Sequence, residues 1–215
     1  MKKYQQIIPL GFGCMVAQDL EKMGFRDHSY PFDWVISNFK DVTCVIDNRF
    51  AGIFQEVEQD AMHDNVYHDR QTGLDHYHDF FPDKSIEEQM DAVRKKYARR
   101  IERFYESIKE PTLFIRFVRN VEDWTYTKEN GAGITTLLKS FNKENVCVYV
   151  LAKDLEDGAV IENVFITEDK THPILACKAL KRLLKKEVKI SYGHRLKNRY
   201  RYICKVLKKS FRGSA

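Results

Sequence analysis

In the run Leu10-Gly11-Phe12-Gly13-Cys14, a thiol follows two glycines at a change of pattern. The apolar stretch before it, Gln5-Gln6-Ile7-Ile8-Pro9-Leu10, reads as a short buried strand. After it, Val16, Ala17, Leu20 and Met23 recur at helical spacing until Gly24. Strand, glycine turn and helix in that order set Cys14 at a helix N-terminus, where the helix dipole and unpaired N–H groups stabilise a thiolate. Glycine flanks let a substrate approach the backbone, and N–H groups beside Gly13 and Met15 can then hold an oxyanion. The plain alternative is a tight turn with a buried thiol. Cys44, Cys147 and Cys177 sit in apolar runs and read as small buried hydrophobes. Five widely spaced cysteines without a CxxC pair argue against a disulfide framework or a zinc ribbon.

A nucleophilic thiol needs a base and a group to orient it. His63, His68, His76 and His78 cluster among Asp64, Asp69, Asp75 and Asp79. His63 and His68 read as a solvated loop. In an extended Asp75-His-Tyr-His-Asp79, His76 and His78 share one face, and Phe80-Phe81 should anchor His78 near the core. Orienting carboxylates or amides are available in Asp79, Asn120, Asp123 and Asp154, the last three at predicted strand ends where α/β sites form. Asp33, in Pro31-Phe-Asp-Trp34, suits either an orienting or a turn-stabilising role. Arg116 and Arg119 point to opposite faces of Phe114-Ile-Arg-Phe-Val-Arg119. Arg119, at the end, suits a carboxylate or phosphate, Arg116 suits a pairing with a buried acid, and at least one of the two needs a specific partner. A His-x-His segment with carboxylates also suits zinc or iron in a metal-dependent hydrolase, but no HExxH or finger spacing accompanies it. The dinucleotide pattern G-x-G-x-x-G fails at Val16. No metal or cofactor is therefore expected.

The elements that must hold these residues are legible by period. A helix is expected from about 38 to 48, then an irregular polar stretch over 55–84 with one short strand. Ser85-Ile-Glu-Glu88 looks like a capping box opening a long helix through Met90, Val93, Tyr97, Ile101, Phe104 and Ile108. Thr112-Leu-Phe-Ile-Arg-Phe-Val118 and Val146-Cys-Val-Tyr-Val-Leu-Ala152 read as strands around a helical Ile134–Phe141. Ala159–Ile166, after an Asp-Gly turn, suits an antiparallel edge strand, with helices over 173–186 and about 194–210. The alternation predicts an α/β fold in three layers, a mostly parallel central sheet flanked by helices.

Leu-Gly-Phe-Gly-Cys14, then Ser29-Tyr-Pro-Phe-Asp-Trp34, His78-Asp-Phe80, Ala98-Arg-Arg-Ile-Glu-Arg-Phe104 and Leu113-Phe-Ile-Arg-Phe-Val-Arg119 together resemble a family of uncharacterised bacterial proteins classed as papain-like cysteine peptidases. The resemblance runs over roughly residues 7–155 and implies Cys14 as nucleophile and His78 as base. A papain-like architecture would be α+β, the alternative to the fold read from periodicity. The sequence departs from the papain pattern in placing Met15 and Val16 directly after the cysteine. No single later residue stands out as orienter, and Asp79 is the one adopted here.

The 215 residues fit one domain over 1–192 and a basic amphipathic helix over 193–215. Net charge is +5, yet Lys178–Arg212 holds 14 Lys/Arg against Glu187 alone, leaving an acidic body. Leu196, Tyr200, Ile203, Val206 and Ser210 fall on or near one helical face, with Phe211 beyond. Residues 195–212 thus suit an anionic membrane surface better than nucleic acid or packing on the domain. No apolar run reaches the ~20 residues of a membrane helix, and the start is too short and glycine-broken for a signal peptide. The expectation is a cytoplasmic protein, peripheral at the inner membrane face. It would be a cysteine hydrolase or acyltransferase on an unknown substrate, or else a non-catalytic module binding a carboxylated or phosphorylated ligand.

Overall fold

The computed structural model describes the backbone of residues 3–212 and the side chains of 3–207. In chain order the elements are β1 (Gln6–Pro9), α1 (Met15–Met23), β2 (Val35–Ile36), α2 (Phe39–Asp47), β3 (Val57–Gln59), β4 (Tyr67–Asp69), β5 (Leu74–His76) and α3 (Ile86–Ser107). They continue with β6 (Thr112–Val118), α4 (Val121–Phe141), β7 (Val146–Ala152), a 3-10 turn (Lys153–Leu155), β8 (Val164–Thr167), α5 (Pro173–Ala176), α6 (Lys178–Glu187) and α7 (Tyr192–Arg212). The capping box of α3 is present in both directions, Glu88 N–H to Ser85 Oγ and Ser85 N–H to Glu88 Oε2, each 3.2 Å.

Strands β1-β6-β7-β8 form a parallel sheet in that order, with Ile8 opposite Phe114 and Phe117 opposite Val150. Successive side chains point to opposite faces, so each strand divides between two cores. Phe114, Val118, Cys147, Tyr149 and Leu151 pack with residues of α2, α3 and α4. Leu113, Ile115, Phe117, Val148 and Val150 pack with residues of α1, α5 and α6. Helices cover both faces, which is the three-layer α/β arrangement periodicity predicts.

Two expectations are corrected. Strand β8 pairs parallel to β7, because the Asp157-Gly158 turn lies inside a crossover that returns the chain to the starting end of the sheet. The 55–84 segment holds three strands, which join β2 in a second, antiparallel sheet ordered β2-β5-β4-β3.

Helix α1 ends in a Schellman motif, with Phe25 N–H on Leu20 O at 2.8 Å and Gly24 N–H on Glu21 O at 3.0 Å. Gly24 is required twice over: its φ is +78°, and a Cβ there would fall 2.2 Å from the Arg195 carbonyl oxygen of α7. Asn198 and His194 of α7 both bond Asp27, at 2.5 and 2.7 Å, and Lys205 pairs with Glu21 at 3.0 Å. Helix α7 therefore sits on the C-terminal end of the helix that Cys14 begins.

Candidate functional site

The chain leaves β1 and turns through Gly11, Phe12 and Gly13, all in the left-handed region at φ +81°, +52° and +79°. Such a run costs little at the glycines and about 1–2 kcal/mol at Phe12. Its ring is held by the Arg116 and Arg119 guanidinium groups at 5.6 and 5.8 Å and by Phe117 edge-on at 6.3 Å. A Cβ on Gly11 would lie 2.5 Å from Ser37 Oγ. Under the turn, buried Arg116 donates to Leu10 O at 2.7 Å and Ser37 O at 2.6 Å and pairs with Asp123. Asp123 also accepts from Phe39 N–H at 2.7 Å. The buried acid that pairs with Arg116 is therefore Asp123, and Asn120 caps α4 by accepting from Asp123 N–H at 2.8 Å. Both serve the scaffold.

Cys14 emerges as the N-cap of α1, half-buried at the carboxyl edge of the parallel sheet. Among the described residues, no backbone carbonyl accepts from its N–H or that of Met15, as the first turn of a helix leaves them, and the Cys14 N–H faces its own thiol. Gly13 differs: its N–H bonds Val35 O at 2.8 Å, so it positions the turn and is not an oxyanion donor. Met15 packs partly buried against the α1 core. Contrary to the expected stabilised thiolate, burial pushes the Cys14 thiol up, opposed only by its own backbone N–H. Among the described residues no cation opposes this.

The same bond to Val35 ties the thiol turn to β2, and Val35 is paired with His76 of β5. Here the histidines separate. Strand β5 ends at His76, the chain bends, and the two rings do not share a face. His78 is exposed rather than anchored near the core, and His76 is fully buried. Asp79 accepts from Tyr97 Oη at 2.7 Å and contacts His76 Nδ1 at 3.1 Å and Lys96 at 2.6 Å. Burial alone would push Asp79 up, but the His76 and Lys96 contacts override it and hold the carboxyl well below the usual carboxylate range. Asp79 thus orients His76, not His78. The ring of His78 instead meets Trp34 edge-to-face at 5.8 Å.

Trp34 gives Pro31-Phe-Asp-Trp34 its physical sense. Buried Asp33 closes the turn by accepting from Tyr30 N–H at 2.9 Å and binds Arg26 at 2.6 Å. Arg26 lies over Trp34 at 5.3 Å, and Trp34 meets His78. The turn-stabilising role of Asp33 is the one realised, and it acts on the site through Trp34. A cleft of about 510 Å³ follows, lined by Gln18, Glu21 and Lys22 of α1, by Trp34, His78, Asp79 and Arg100, and by Tyr202, Lys205 and Val206 of α7. Gln18 is one helical turn from Cys14 and shares its face. The sequence reading missed Gln18, Trp34 and Arg100. Only Trp34 had a local signal, its place beside Asp33.

Arg119 is exposed beside Phe12. Asp154 pairs with Lys170 on the surface at 2.6 Å. His68 bridges Asp75 and Asp60 at 2.7 and 2.8 Å, and His63 reaches Asp60 at 2.9 Å. These residues are engaged in imidazole–carboxylate pairs, and among the described residues no group of three or more His, Cys, Asp or Glu is arranged to hold a metal ion.

Residues 5–153 match a family described as "Putative papain-like cysteine peptidase (DUF1796)". The chain belongs to this family. The family match takes in the thiol turn, the Trp34 turn, the histidine loop and the Arg116 hub, and stops before β8 and α5–α7. The uncharacterized protein R408 of Acanthamoeba polyphaga mimivirus is 33% identical to the chain, over 46% of this chain and 54% of that protein. The chain thus spans about half the length of the relative it matches. No solved structure matches it.

Proposed function

We propose that this family member is a cysteine hydrolase or acyltransferase, with Cys14 as nucleophile and His78 as base. The observation that carries this is the thiol at the N-terminus of α1, beside two N–H groups that no backbone carbonyl takes among the described residues, and one turn from a cleft that contains His78. Because burial pushes the Cys14 thiol up, the proposed step is general-base catalysis. Cys14 Sγ attacks the acyl carbon while His78 takes the thiol proton, and the N–H groups of Cys14 and Met15 receive the oxyanion. The tetrahedral adduct collapses to a thioester, the leaving group takes the proton from His78, and water or another acceptor then removes the acyl group. Trp34 positions His78 in place of an orienting carboxylate.

The test uses p-nitrophenyl acetate as a generic acyl donor and maps acetylation by peptide mass spectrometry. Exposed Cys44 is the internal reference. Cys14 should acetylate far faster than Cys44, and His78→Ala should slow it by roughly 10²–10⁴-fold. Equal rates at the two thiols, or no effect of His78→Ala, would sink the proposal. The second reading, a non-catalytic module, draws on the upward-pushed thiol and on Lys22, Arg100 and Lys205 around the cleft. It predicts that Cys14→Ser retains binding of a carboxylated or phosphorylated ligand, measured by calorimetry.

A further inference from the structure

Helix α7 rests on the body by an unusual face. Its contacts run through Arg195, Asn198, Tyr202 and Lys205, a mostly polar seam. On a helix turning about 100° per residue, Tyr192, Leu196, Tyr200, Ile203 and Leu207 fall on a separate stripe that faces away from the seam. All five are between 44% and 70% exposed. Lys197 and Arg201 flank the stripe on one side and Arg199 on the other. Side chains from 208 on, including Ser210 and Phe211, lie outside the described residues.

The stripe opens onto a groove of about 480 Å³ between α1, α6 and α7, which Tyr192 and Leu196 also line. Lys22, Lys181, Lys185, Arg195 and Arg199 surround it, and among the described residues no acid lines it. Lys22 faces the His172 ring at 3.2 Å, and Lys181 donates to Leu175 O at 2.6 Å. Arg195 lies over Phe25 and Tyr192. Among the described residues none of the five makes an ion pair with a carboxylate, whereas Lys205 on the same helix does. Five cations without counter-charge repel one another, and an anion in the groove relieves that repulsion.

We infer that the α6–α7 face docks on an anionic phospholipid surface, with the apolar stripe entering the interface and the groove receiving a headgroup phosphate. The pairing of the two features selects the occupant. Nucleic acid would use the cations but has no need of five aligned apolar side chains. A two-fold pairing of copies through this face would set one cationic groove against another. A basic helix with an apolar face is the form that lies in a membrane interface, and no helix among the described residues is long and apolar enough to cross one. The inference does not rest on the thiol chemistry: the stripe and four of the groove's five cations lie beyond the family match, and Lys22 alone of the five lies within it.

The full chain is floated with vesicles of phosphatidylcholine alone, and of phosphatidylcholine with about one-third phosphatidylglycerol. Binding is expected only to the second and should weaken as salt rises. Lys185→Ala with Arg199→Ala should weaken it roughly 25-fold, and Leu196→Glu with Ile203→Glu should abolish it. All four side chains are exposed, so circular dichroism should match the wild type. Absence of flotation with either vesicle overturns the inference, as does equal flotation with both. Protection of the groove by inorganic phosphate without vesicle binding assigns the site to a soluble anion and also overturns it. So does a dimer dispersed by Ile203→Glu, or binding of duplex DNA in place of vesicles.

Discussion

Two polar clusters lie on either side of the Phe12 turn, and they are built on opposite terms. Beneath it, Arg116 is wholly buried, with both terminal nitrogens on Leu10, Ser37 and Asp123, and Asp123 in turn holds the start of α2. Beyond it, among the described residues, Cys14, one helical turn from the cleft, has no partner but its own backbone, and His78, in the cleft, is exposed with an aromatic edge against it. A buried charge must be satisfied or the fold fails. A group meant to meet a substrate is left open, and its neighbours hold it without consuming its hydrogen-bonding capacity. The first cluster is therefore scaffold, and the second is where the proposed chemistry is placed.

Substitutions should separate the two by stability, the largest effect first. Asp123→Ala strands Arg116 in the core and should cost about 3–5 kcal/mol in urea denaturation. Pairing Asp123→Leu with Arg116→Met should recover most of that loss, and no recovery would mean the hub is more than an ion pair. Asp79→Asn comes next, at about 1.5–3 kcal/mol near neutral pH, because charge-assisted bonds from Tyr97 and Lys96 are weakened. The Asp79 carboxyl is depressed in the folded state. Its stabilisation is therefore complete above about pH 4 and is lost as pH falls through the lower, folded value. The gap between wild type and variant, followed by urea titration, should close in that acid range. His78→Ala and Cys14→Ser should change stability by no more than about 0.5 kcal/mol. Iodoacetamide should alkylate Cys14 slowly at neutral pH, with the rate rising only above about pH 8.5, the ordinary thiol range. Fast alkylation below pH 7 would show an unseen cation at the thiol and erase the contrast.

The middle of the parallel sheet was legible because β6 and β7 have seven residues each, are almost wholly buried and are separated by a helix of clear period. Strand β8, with four residues and partly exposed, was read in the wrong direction. The antiparallel sheet was not legible. Val57–Gln59, Tyr67–Asp69 and Leu74–His76 have three residues each, too few for alternation to register, and polar side chains line much of their exposed face. The same brevity misplaced the histidines. An extended strand through 79 would have put His76 and His78 together, but the ladder ends at His76 and the bend sends His78 outward. Arg116 was readable as suiting a buried acid because its cost is local to one strand. Which acid it meets, and that Asp79 meets His76, depend on long-range packing. Asp33 and Arg26 act on the site through Trp34, and though the sequence sets Trp34 beside Asp33, it does not reveal that Arg26 joins them.

Gly24 has a consequence for the dimensions of the molecule. Helix α1 is a nine-residue rod with the thiol at one end and the α7 backbone seated on its last turn. Its length of about 13 Å and its phase of about 100° per residue make it a ruler between the two. A single insertion between Met15 and Gln18 would leave both ends intact, yet swing Cys14 about a quarter-turn away from Gln18 and the cleft. The tolerance of this helix to changes of residue should therefore be far wider than its tolerance to changes of length.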